Sequence, residues 1–165
     1  MTGTEQVKAY LTAQLKQAGI QTVQAWERRR IPQLNAPAAV VGVEETRSSS
    51  AALWAYLGLT QEENAAAGKE RYGRRLELSL CVDFYAPRAQ AQKLEACCEV
   101  LETLCFSPLA AFLHISGVRR GEIRADRISG YLQCRCTAAC TAYLTATRDE
   151  DSAELTDFIL KGVLQ

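Results

Sequence analysis

Seven cysteines and a single histidine are the residues of this 165-residue chain best suited to metal or nucleophile chemistry. Cys134, Cys136 and Cys140 crowd one short stretch, as the ligands of a metal cluster would. That stretch alternates apolar and polar residues from 130 to 147, which predicts a strand with all three cysteines on one face. The first and last then lie roughly 20 Å apart at ~3.4 Å per residue. A single zinc, with sulfurs at ~2.3 Å, cannot be shared by these three. Cys97 and Cys98 are neighbours in a helical pattern and make a poor bidentate pair. Together with Cys105, both groups fill positions where aliphatic core residues are expected, and buried free cysteine behaves as a small hydrophobe. An odd count in a chain of this size argues against a disulfide scaffold and for a reducing compartment. The expectation is reduced core cysteines, with no metal and no cofactor.

The other chemistry-bearing residues form no convergent set. His114 ends a short apolar stretch, with no nucleophile or orienting carboxylate that the sequence can place beside it. Gly42, Gly58, Gly68 and Gly73 have none of the spacings of a phosphate-binding loop. Glu44-Glu45, Glu62-Glu63 and Asp149-Glu150-Asp151 fall in turns or strand ends, where solvated charge explains them more simply than paired acid and base. Basic clusters occur at Arg28-Arg29-Arg30, at Arg71, Arg74 and Arg75, and at Arg119-Arg120 with Arg124 and Arg127. The 19 basic and 19 acidic residues balance, so no global field draws the chain to nucleic acid or anionic lipid. Solvated faces or salt bridges between subunits are therefore favoured over phosphate contacts. Neither an enzyme nor a sequence-specific nucleic-acid binder is expected.

The elements that would position these residues are legible from periodicity. Hydrophobic residues at 48% and charged residues at 23% fit one folded domain over 1–165. No apolar run approaches the ~20 residues of a membrane span, and Met1 to Lys16 lacks the apolar stretch of a signal peptide. Val7, Leu11 and Leu15 predict a helix over 4–18, with Thr4 as N-cap and Gly19 as its stop. Strands are predicted over 21–31, ended by Pro32, and over 38–46. Residues 47–73 show no sustained period and read as a long loop, with a short helix over Ser50 to Leu57; connections of this length are commonly functional. Leu76, Leu78, Leu80, Val82 and Phe84 alternate with polar partners in a half-buried antiparallel strand from Arg75 to Tyr85. A helix over 89–105 follows, then a short helix opened by Ser107-Pro108 that runs through Phe112 and Leu113. Strands over 118–123 and 130–147 come next, the latter long enough to expect a bulge or bend. Leu155 to Val163 closes the chain as a strand or short helix. The order implies an α+β fold, a mainly antiparallel sheet with two principal helices packed on one face.

This order of elements resembles the small tail-assembly proteins of tailed phages and their prophage remnants, the tail terminator and tail-completion group. The likeness is carried by Tyr72-Gly73-Arg74 leading into the strand Leu76 to Phe84, then Tyr85-Ala86-Pro87 and the Gln90–Leu104 helix. Tyr143-Leu144-Thr145-Ala146 followed by Thr156-Asp157-Phe158-Ile159-Leu160-Lys161-Gly162-Val163 also resembles the endings of prophage tail-operon proteins, the minor tail proteins among them. The resemblance covers most of the chain through pattern and order rather than any chemical signature. It implies a homo-oligomeric ring, commonly a hexamer, that caps the tail tube and offers a docking face to the head-completion or connector protein. It implies no catalytic residues, and a life in the bacterial host cytoplasm during assembly and then in the virion tail. The richness in cysteine and the Trp54 segment depart from the family.

The residues expected to meet partners are Leu53, Trp54, Tyr56, Leu57 and Leu59, an apolar knot between polar stretches, since interface cores favour aromatic residues. Arg71, Arg74 and Arg75 would form its polar rim. Two alternatives remain open at this point. A small-ligand or enzymatic domain would need polar groups converging beside an apolar cleft, and a nucleic-acid-binding module would need a one-sided basic surface.

Overall fold

The computed structural model describes residues 3–23, 25, 31–60, 69–104, 113–148 and 157–160. The first helix, α1, spans Gly3–Gln17 and buries Val7, Leu11 and Leu15. Thr4 thus lies inside its first turn rather than at its cap. Gly19 ends the helix at φ +80. Its amide donates to the Lys16 carbonyl at 3.0 Å, and the Ile20 amide donates to that of Leu15 at 3.0 Å, which together form the Schellman closure.

Eight strands are found among the described residues, joined in one sheet: β1 Gln21–Thr22, β2 Ala38–Ser50, β3 Tyr56–Thr60, β4 Lys69–Ala86, β5 Leu113–Arg120, β6 Arg124–Ala125, β7 Leu132–Arg148 and β8 Asp157–Leu160. The main path runs β1-β2-β4-β7-β5, with β3 also on β4 and β6 and β8 also on β7. Every pairing is antiparallel except β1 with β2. Between β4 and β5 comes the second helix, α2, Ala91–Leu104, which buries Leu94, Cys97, Cys98 and Leu101.

The core occupies one face of this sheet. Leu76, Leu78, Leu80, Val82, Phe84 and Ala86 of β4 face the helices. Through the register Leu80↔Ala138, Val82↔Cys136 and Phe84↔Cys134, the β7 residues of the same parity face them too. β7 supplies only cysteine and alanine along its buried stretch from Cys134 to Ala142. These small side chains leave room for α2, which packs over β4, β7 and β5, while α1 packs over β1 and β2. The α+β architecture with two helices on one face is as the pattern implies.

Several expectations are corrected. Of the expected loop, 61–68 lie outside the described residues, and the rest is mostly strand: β2 continues to Ser50, a 3-10 turn covers Leu53–Ala55, and β3 and β4 occupy Tyr56–Thr60 and Lys69 onward. A bulge between Val43 and Glu45 reverses the parity of β2, and beyond it Glu44 to Ser50 are exposed on both faces. Two-sided exposure removes the alternation that signals a strand, while the backbone ladder to β4 persists. Leu113 and His114 open β5 instead of ending a helix. β7 and β4 pair without interruption over 17 positions, so the bulges lie on the partners β2, β3 and β5. Among the described residues of the first expected strand, Gln21–Thr22 alone are strand. Residues 24 and 26–30, with Arg28, Arg29 and Arg30, lie outside the described residues, as do 105–112, which hold Ser107-Pro108 and Cys105. No helix among the described residues is long and apolar enough to cross a membrane.

Candidate functional site

At ~3.3 Å per residue, the eighteen residues of β4 extend roughly 60 Å, and only part of that length lies under the helices. The uncovered end carries β3, which continues the line of β2 along β4 after the interruption at 51–55. Among the described residues β3 pairs with β4 alone, so its outer edge presents unpaired backbone groups. Ala55 enters this segment at φ 64, a left-handed conformation disfavoured for a residue with a Cβ. Gly58, at φ +107, allows the bulge between Tyr56 and Gly58.

The interface candidates read from the sequence divide here. Leu53 is 82% exposed, Leu59 58% and Tyr56 40%. Tyr56 meets Tyr72 edge to face, ring centroids 5.7 Å apart, and Tyr72 donates to Glu70 at 2.8 Å. Leu57 does not join that exposed group. It packs against Gly73, where an added Cβ would stand 2.6 Å from the Leu57 Cδ1. The side chain of Trp54 lies outside the description. Arg71, Arg74 and Arg75 do not make one rim either, because successive strand residues face opposite ways. Arg74 shares the helix-side face and donates to Ser48 at 3.4 Å. Arg75, on the opposite face, pairs with Glu77 at 3.2 Å. Arg71 lies on that same opposite face, with a buried Nε that has no hydrogen-bond partner among the described residues.

The remaining basic cluster is also dispersed. Arg119 and Arg120 point to opposite faces of β5; Arg120 pairs with Glu95 at 3.6 Å, and Arg124 with Glu122 at 2.8 Å. A one-sided basic surface is therefore not assembled from these residues. His114 is exposed on the face away from the helices. A shallow concavity of 410 Å³ on that face is bordered by Glu45, Arg47, Arg75, Glu77, Ser116 and Thr141. Its charges are of both signs.

Two groupings escaped the reading of the sequence. The first is a polar network on the open face. Asp83, 7% exposed, accepts from Arg135 Nε and Nη2, each at 2.8 Å, and from Gln133 at 3.1 Å. Gln133 also donates to the Tyr85 hydroxyl at 3.1 Å, and Arg135 lies 3.7 Å from Glu44. Burial first, and then the Asp83 charge, push the Tyr85 phenol up to about 12. Burial likewise raises the Cys81 thiol, reinforced by Asp83 and Glu44. The hydrogen bonds to Asp83 raise the Arg135 guanidinium further above its ordinary value. The shared parity of Asp83 with Tyr85, and of Gln133 with Arg135, is visible in the sequence, but the strand pairing that unites them is not.

The second is a cysteine cluster. Cys134 and Cys136 face the core from β7, and Cys98 meets them from α2, with all three sulfurs within 4.8 Å of one another. The sequence argument weighed the strand and helix cysteines separately, so it missed a group that draws on both. Cys140, the other member of the strand set, is not in the group. Cys97 and Cys98 diverge, as adjacent helix positions must.

No family model matches the chain, and no curated protein matches it.

Proposed function

We propose that this chain is a structural subunit that assembles with copies of itself: a ring-forming tail terminator or tail-completion protein that caps a tail tube and joins it to the head. It would act in the bacterial host cytoplasm during assembly and then in the virion tail, with the tube protein and a head-completion or connector protein as partners. The observation that carries this reading is the bare end of the sheet, where Leu53, Tyr56 and Leu59 are exposed beside the open edge of β3. Exposed apolar side chains next to unpaired strand backbone are a surface on which another chain can add by strand pairing. The order of elements that resembles the tail-assembly group is the second support. Arg74 and Arg75, on opposite faces, would each contact a different neighbour rather than line one rim.

The test is to add the purified protein to growing tail tubes encoded beside it and to image their ends. Capping should stop elongation and leave a ring at one end. Tubes that neither acquire a ring nor stop growing would remove the terminator reading.

A further inference from the structure

We propose that Cys98, Cys134 and Cys136 form a buried three-sulfur site for a soft, thiophilic cation of the copper(I) class. Their sulfurs lie within 4.8 Å of one another. Three sulfurs held at ~2.3 Å from a common centre stand ~4 Å apart in a trigonal plane, so small rotamer adjustments bring them onto one ion. The backbone supplies this geometry. Cys134 and Cys136 are two residues apart on β7 and project the same way, while Cys98 comes down from the helix that the small β7 residues admit.

The donor set selects the ion. Thiolate ligands favour copper(I) and zinc over oxygen-seeking cations. No histidine or carboxylate joins the three sulfurs among the described residues. Structural zinc takes four protein ligands, so three sulfurs in a dry core suit a soft cation content with trigonal coordination. All three cysteines are fully buried, which shields such a centre from water and oxidants. Binding breaks three S–H bonds, forms three metal–sulfur bonds and releases three protons to solvent, with no change of oxidation state.

The surroundings suit the negative charge that results. Arg120 registers with Cys136 at the sheet edge, beside the three sulfurs, and pairs with Glu95 at 3.6 Å. Two of the thiols are raised: the hydrogen bond with Cys136 and then burial raise Cys98, and burial and then the bond with Cys98 raise Cys134. Arg120 opposes that rise at Cys134. One guanidinium beside three sulfurs offsets part of the charge of a trithiolate centre.

The experiment titrates the full-length, reduced chain with chelate-buffered copper(I) without oxygen, and takes X-ray absorption spectra of the loaded protein. Expected are one tight equivalent per chain, a sulfur-to-copper charge-transfer band and a first shell of three sulfurs. Cys98→Ser, Cys134→Ser and Cys136→Ser should each weaken binding by at least about tenfold, while Cys97→Ser and Cys140→Ser leave it unchanged. Less than one equivalent, a shell without three sulfurs, or an equal loss in Cys97→Ser would overturn the site. Should a core serine variant fail to fold by circular dichroism, the sulfur count of the unaltered chain decides.

Discussion

Arg135 and Asp83 are joined across the two central strands by two parallel hydrogen bonds, Nε to Oδ1 and Nη2 to Oδ2, each 2.8 Å. They are direct register partners, so the pair pins β4 to β7 in the one alignment that also stacks Val82 on Cys136 and Phe84 on Cys134. The Asp83 side chain is 11% exposed and that of Arg135 56%. The interaction therefore has a dry carboxylate end and a screened guanidinium end.

Arg135→Met should destabilise the fold by ~1–3 kcal/mol, because among the described residues it leaves the buried carboxylate with Gln133 as its partner. Adding Asp83→Leu should restore much of that loss, as replacing both members of a buried pair often does. Urea midpoints of the parent, the single and the double variant test this. A single variant as stable as the parent would show that the pair fixes nothing.

Leu80→Ala should cost ~2–5 kcal/mol, since truncating a fully buried leucine leaves a cavity that packed neighbours only partly fill. Leu101→Ala removes the same core from the helix side and should fall in the same range. An unchanged denaturant midpoint in either would contradict the placement of the helices on this face.

Tyr85 gives a pH signature. Its phenol is raised from 10.0 to about 12 in the fold, so between those values the folded chain keeps a proton that the unfolded chain has lost. Stability from this group is full below pH 10 and falls as pH rises toward about 12. Stability measured across this alkaline range should decline more steeply in the parent than in Tyr85→Phe. Parallel declines would mean that the phenol is not held protonated by its surroundings.

The elements with a long one-sided alternation were legible in the sequence, and the parts exposed on both faces, with the short buried start of β5, were not. Leu76 to Phe84 announce their strand because water and core sort alternate residues, and Val7, Leu11 and Leu15 announce α1 in the same way. Glu44 to Ser50 carry polar residues on both sides, so nothing in their order distinguishes strand from loop. The same limit hid the division of the candidate site. Arg71, Arg74 and Arg75 look like one basic cluster as text, but the two-residue period sends Arg74 to the face opposite Arg75. Leu57 looks like its exposed neighbours, yet the bulge at Tyr56–Gly58 turns it onto Gly73. The cysteine group needed helix and strand to be docked before it existed. The Asp83 network needed the β4–β7 register.

At the bare end of the sheet, the exposed leucines separate assembly from folding. Leu53→Ser with Leu59→Ser changes side chains that are 82% and 58% exposed, so the fold should lose no more than ~0.5 kcal/mol per site. Trp54→Ala extends the same test to the neighbouring turn. The decisive measurement images tail-tube ends after incubation with the parent and with the double leucine variant, both confirmed folded by their denaturant midpoints. Rings should cap the tubes mixed with the parent and be absent from those mixed with the variant. Rings of equal abundance in both would show that this end of the sheet is not the assembly surface.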